Sequence, residues 1–155
     1  LVTGVQTCAL PIYTVREMIT HPDTLVSLGD GGAHVGALSD ASATTYLLTH
    51  WTRDRKADRV PLPWAIKRLS RDNALALGLN DRGTLSAGLK ADINVIDYDR
   101  LSLRPPEVVY DLPAGGKRVI QKTVGYDATI VSGTPVYRDG TETGQLPGRL
   151  VRGAR

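Results

Sequence analysis

The sequence predicts a mixed α/β chain in which helices come first and a small antiparallel β region follows. Three observations carry this. The longest 3.6-residue apolar period runs from Pro63 to Leu77, that period vanishes beyond Leu79, and short alternating or β-branched runs punctuated by glycine replace it. A chain of 155 residues cannot hold a complete (β/α)₈ barrel, which needs roughly 250. An apolar fraction of 41% with 23% charged residues belongs to a folded chain rather than a disordered one.

The elements follow in order. Leu1 to Ile12 has neither helical period nor alternation, and it resembles the conceptual translation of a sequencing-adapter oligonucleotide. It is expected to be non-native and is set aside from the fold. The single cysteine, Cys8, lies inside it, so no disulfide framework is expected. Thr14–Thr20 places Val15, Met18 and Ile19 on one helical face, and His21-Pro22-Asp23 ends that helix. Thr24–Leu28 is a short apolar run suited to a buried strand, stopped by Gly29-Asp30-Gly31-Gly32. Ala41–Trp51 is a helix with Ser39 or Asp40 as its cap, followed by a charged loop over Thr52–Arg59. Pro63–Leu77 is the strongest helix, with Ile66, Leu69, Asn73 and Leu77 in one stripe widened by Ala65 and Ala76, and Gly78 as the C-terminal cap.

Strands are expected at Gly83–Leu85, Ala91–Asp97, Arg118–Val124, Ala128–Val131 and Thr134–Tyr137. Arg104–Gly116, with three prolines and two glycines, reads as an irregular connection, and the tail from Gly144 as a polar surface segment. The boundary between the two parts falls near Leu79, giving units over 13–78 and 79–155.

Composition excludes several functions. No apolar run approaches the ~20 residues of a membrane-spanning helix. The net charge is only +3, and the basic stretch Arg53, Arg55, Lys56, Arg59 is interrupted by Asp54 and Asp58, unlike a nucleic-acid-binding patch. Neither a phosphate-binding glycine loop, a dinucleotide fingerprint nor a serine-hydrolase elbow occurs. His21, His34 and His50 form no metal-ligand spacing. His21 precedes a proline, and His50 reads as a half-buried helix residue. No secretory signal is recognisable, so a cytoplasmic location is expected.

Asp30 is the residue with chemical promise. A carboxylate at the C-terminal end of a buried strand stands where α/β folds place their active sites. The adjoining Gly31 and Gly32 leave room beside it. The other reading of the same residues is a plain Asp-Gly turn. His34, in the same loop, could meet a substrate, a metal, water or only the backbone.

Longer matches decide between these readings. Leu28-Gly29-Asp30-Gly31-Gly32-Ala33-His34 resembles the last-strand motif of the amidohydrolase superfamily, in its N-acyl-D-amino-acid deacylase (D-aminoacylase-like) branch. The helix end Arg71-Asp72-Asn73-Ala74-Leu75-Ala76-Leu77-Gly78 and the stretch from Gly83 to Asp97 resemble the passage by which such enzymes leave the barrel and re-enter a small β-sandwich. Ala128–Tyr137 fits the same pattern, and the order of these elements agrees with the family.

The resemblance implies the C-terminal end of a (β/α)₈ amidohydrolase barrel over 13–78, followed by part of a β-sandwich domain over 79–155. It implies a zinc-dependent hydrolase, with one or two ions in the full-length protein, acting on a small-molecule amide substrate such as an N-acyl amino acid. Nucleic acid and membrane are not expected partners, and a homo-oligomer is allowed. Asp30 would act as general base and acid at the metal site and as a metal ligand. Gly31, Gly32 and His34 would contact substrate. Zinc lowers the pKa of bound water toward ~7, and a carboxylate beside it relays the proton to the leaving nitrogen. The remaining metal ligands are expected upstream, so the isolated chain is expected to be inactive. The alternative is a non-catalytic amidohydrolase-like scaffold or oligomerisation protein, and the sequence upstream of Tyr13 would discriminate the two. A free-standing β-rich binding module from Leu79 onward is a further reading, disfavoured by its open sheet edges.

Overall fold

In the computed structural model, residues 12–27, 29, 32, 34–37 and 40–151 are described. The segment read as non-native, and Cys8 within it, lie outside them up to residue 11. Helix α1 (Ile12–Thr20) covers the expected Thr14–Thr20 and starts two residues earlier; Val15 and Ile19 pack on the core, whereas Met18, expected on the same face, is exposed. The Thr24 hydroxyl donates to the Met18 carbonyl at 2.7 Å, satisfying one of the carbonyls a helix end leaves open.

The expected strand at Thr24–Leu28 does not form: residues 24–27 have no ladder partner, and Leu28 lies outside the described residues. The physical reason is visible in the Val26 carbonyl, which is taken by the Asn73 side chain instead of a neighbouring strand.

The second helical stretch opens with a 3₁₀ turn (Asp40–Ser42), continues as α2 (Ala43–Tyr46) and ends in a π-helical segment (Leu47–Asp54). It runs three residues beyond the expected end at Trp51. The Arg55 amide reaching the His50 carbonyl at 3.1 Å is the wide-turn bond that carries it there. The third stretch comprises α3 (Leu62–Lys67), a π-helical segment (Arg68–Asp72) and α4 (Asn73–Ala76). Pro63 sits in its first turn, where a missing amide costs nothing. Gly78, at φ +70°, closes it, with its amide bonded to Leu75 and that of Leu79 to Ala74. The apolar stripe is met in part: Ala65 is buried and Leu69 packs on the core as expected, whereas Ile66, Ala76 and Leu77 are exposed and Ala74 is buried in their place.

Beyond Leu79 every strand pairing is antiparallel. β1 (Ile93–Ile96), β6 (Tyr126–Val131), β7 (Thr134–Arg138) and β8 (Thr141–Glu142) form one sheet in that order. β2 (Ser102–Leu103) pairs with β5 (Thr123–Val124), and β3 (Glu107–Leu112) with β4 (Gly116–Ile120).

Three expectations need correction here. Gly83–Leu85 is loop, not strand. Arg118–Val124 is split between β4 and β5. Arg104–Gly116 is not an irregular connection but contains β3. Its prolines, Pro105, Pro106 and Pro113, flank Glu107–Leu112 rather than interrupt it, and the Val108-Val109-Tyr110 run is free to pair.

The core joins both halves. Leu47, Leu48, Trp51 and Ala65 from the helices and Val60 from the connection between them cluster with Leu101, which follows β1, with Ile96, Tyr98 and Tyr126 packed alongside. The guanidinium of Arg53 donates to the carbonyls of Tyr98 and Leu101, the latter at 2.7 Å, pinning the 98–101 loop to the helix. Gly125, at φ +100°, passes so close to this loop that a Cβ there would lie 2.7 Å from the Leu101 Cα.

Candidate active site

The glycine-rich loop after residue 27 is held from both sides. On one side, the preceding segment lies along the third helical stretch. Arg68, itself buried, donates to the His21 carbonyl, and the Asn73 amide donates to the Val26 carbonyl at 2.9 Å. Arg68 is oriented by Asp72 at 3.5 Å and by the Trp64 ring, 5.3 Å from its guanidinium carbon. A hydrogen bond from Lys67 holds the Asp72 carboxyl below the usual carboxylate range, with Arg68 adding to it.

Gly29 then passes against the start of the second helical stretch. A Cβ on it would stand 3.3 Å from the Asp40 carbonyl oxygen, tighter than ordinary contact. Between the two helical stretches lies a cavity of about 450 Å³, lined by Val26, Ser27, Gly29, Asp40, Thr44, Leu69 and Asn73 among others. That volume falls in the range of small-molecule sites, ~300–1,000 Å³.

On the other side, the loop meets the β region. His34 adopts φ +47° in a turn closed by the Ala37 amide on the His34 carbonyl at 2.8 Å. The next carbonyl, that of Val35, accepts the Val119 amide of β4 at 2.7 Å. Further along, the Ser42 hydroxyl donates to the Gln121 carboxamide, and Thr45 and Tyr126 share a hydroxyl–hydroxyl bond of 2.8 Å. The described residues of this stretch are therefore tied to a helix at Val26 and to a strand at Val35, and Gly29 lines the cavity.

Of the residues singled out from the sequence, Asp30 and Gly31 lie outside the described residues. Gly32 and His34 are exposed on the loop, and the His34 imidazole has no hydrogen-bond or ion-pair partner among the described residues. His21 is exposed, with its Nδ1 accepting the Asp23 amide at 3.2 Å. His50 is half-buried as expected, stacked on Tyr46 with ring centroids 4.7 Å apart. Burial, then the charge of Arg55, pushes its imidazole below its ordinary pKa. Sequence reasoning missed the tethering role of Asn73. The signal was present: a carboxamide inside an apolar helical stripe needs a partner when it is buried. It also missed the approach of β4, for which no local sequence signal exists.

Among the described residues no group of three or more His, Cys, Asp or Glu could hold a metal ion, and no helix is long and apolar enough to cross a membrane.

The sequence model described as "Amidohydrolase family" matches residues 2–137. A curated relative, the D-aminoacylase of Alcaligenes xylosoxydans xylosoxydans, is 31% identical over 105 residues, which cover 68% of this chain and 19% of that protein. The chain thus spans less than a fifth of that relative's length. No solved structure matches it significantly.

Proposed function

This chain belongs to the Amidohydrolase family, in its D-aminoacylase-like branch, and from that premise we propose that it is the C-terminal part of a hydrolase cleaving non-peptide C–N bonds. The substrates on this reading are N-acyl amino acids. Residues 13–78 would complete a (β/α)₈ barrel and residues 79–155 would contribute to a β-sandwich beside it. One observation supports the reading most: Gly29, the residue next to Asp30 in the chain, lines a cavity of small-molecule size between the helical stretches, and the Asn73–Val26 and Val119–Val35 bonds hold the described residues on either side.

The chain's own part in the reaction is proton transfer. Amide cleavage needs a base to deprotonate the attacking water and an acid to protonate the departing nitrogen, which is otherwise too basic to leave. Asp30 serves as both in turn. Gly31 and Gly32, lacking side chains, leave space for the amide beside it, and the His34 imidazole is free to donate to the substrate. Zinc is the proposed cofactor of the whole protein, and its chemistry is to polarise the carbonyl and acidify water. The described residues do not by themselves fit such a centre. Asp30 is the one ligand this chain would offer, and the others would come from elsewhere in the protein.

The test is the full-length protein carrying this chain, assayed against N-acetyl-D- and L-amino acids with its metal content measured. The reading predicts stoichiometric zinc and release of free amino acid from at least one enantiomeric series. Zinc-free protein with no amide hydrolysis on any member of the panel would overturn it.

A further inference from the structure

The cavity between the second and third helical stretches carries an unbalanced charge. Asp40 lines it, half-buried, and its carboxylate has no ion-pair or hydrogen-bond partner among the described residues. The other two acids of these helical stretches are both neutralised, Asp54 by Arg53 and Asp72 by Lys67 and Arg68. Among the described residues that line the cavity there is no Lys, Arg or His.

Asn73, on the same wall, adds a second uncommitted acceptor. Its Nδ2 donates to the Val26 carbonyl at 2.9 Å and lies 3.5 Å from that of Leu69, so the carboxamide cannot be turned over without setting oxygen against oxygen. Its Oδ1 is buried and has no hydrogen-bond partner among the described residues. The hydroxyls of Ser27 and Thr44, which also line the cavity, can accept as well as donate, and Val26 and Leu69 supply apolar surface.

A carboxylate, an unpaired amide oxygen and two hydroxyls around a partly apolar hollow of about 450 Å³ define the ligand by its donors. An anion would be repelled by Asp40, and a purely apolar guest would strip water from the carboxylate without replacing it. We infer that this cavity binds a primary aliphatic ammonium. Such a group is a compact positive charge with three N–H donors and no acceptor, and a short hydrocarbon stem can lie along Val26 and Leu69. The site stands on the cavity's own residues and not on the hydrolase reading.

The experiment titrates the full-length protein carrying this chain with n-butylammonium, n-butanol and butyrate by isothermal calorimetry. n-Butylammonium should bind saturably at one site, n-butanol roughly tenfold or more weakly, and butyrate not at all. Asp40→Asn keeps the side chain's shape and removes its charge. It should weaken n-butylammonium roughly tenfold or more, the scale of a hydrogen bond to a charged group, with Tm preserved. Ala43→Leu adds bulk to the cavity wall with the carboxylate in place, and should weaken the same ligand without restoring any affinity for butyrate. Absence of saturable binding by n-butylammonium, equal affinity for butyrate, or unchanged binding in folded Asp40→Asn would overturn the site. Should Asp40→Asn fail to fold, unchanged binding in Ala43→Leu would overturn it instead. Each of these outcomes leaves the hydrolase reading as it stands, since none of them measures amide cleavage.

Discussion

The side-chain amide of Asn73 donates to the main-chain carbonyl of Val26 across 2.9 Å, joining two segments 47 residues apart. The same nitrogen lies 3.5 Å from the Leu69 carbonyl, so one carboxamide ties its own helix to the segment leading into the glycine-rich loop. Asn73→Ala removes the tether and strands the Val26 carbonyl. A lost bond that leaves a partly buried acceptor unpaired costs about 1–3 kcal/mol. The expected outcome is a matching fall in the urea unfolding free energy, with faster amide hydrogen exchange concentrated over residues 24–29 and 34–37.

Asn73 also marks where the sequence was legible and where it was not. Its helix could be read because Leu69 and Asn73 fall four residues apart and Gly78 ends the run, features that depend only on local spacing. Strands β1, β6 and β7 were readable for the same reason: their β-branched runs are bounded by glycine turns. What failed depended on distant partners. Thr24–Ser27 has strand-like residues but no ladder, since a side chain 47 positions away takes its carbonyl. Glu107–Leu112 was hidden by its prolines, which lie outside the paired residues. Asp30 could be picked out by its glycine neighbours and strengthened by the longer matches. The approach of Val119 to the loop could not, because hairpin docking leaves no periodic trace.

Gly125 supplies a test of how the two halves are joined. A methyl group there would stand 2.7 Å from the Leu101 Cα and 2.8 Å from its nitrogen, and the backbone holds φ +100°. Backbone atoms cannot rotate away as a side-chain tip can. Gly125→Ala should therefore lose about 2–5 kcal/mol, summing strain and overpacking. A thermal unfolding scan should show a clear drop in Tm, whereas alanine at Gly140, which has open space around it, should cost far less.

His50 should make stability depend on pH near neutrality. Burial first, and the Arg55 charge second, depress its pKa in the folded state, while Asp54 opposes them. The unfolded chain then binds the proton more readily, so this contribution is full above about pH 6.5 and is lost as pH falls from there toward the folded pKa. His50→Phe keeps the stack on Tyr46 but removes the titration. Its stability curve should be flatter across that window, and imidazole NMR titration of the parent should give a midpoint below the ordinary histidine value.

The proton-relay role of Asp30 is tested most directly by the turnover number of Asp30→Asn in the zinc-loaded full-length protein, measured on the best N-acyl amino acid. Asparagine keeps the size and removes the titratable carboxyl. The account predicts a fall in kcat of roughly 10²–10⁴-fold with the fold and Tm preserved. A variant that turns over within a fewfold of the parent would contradict it.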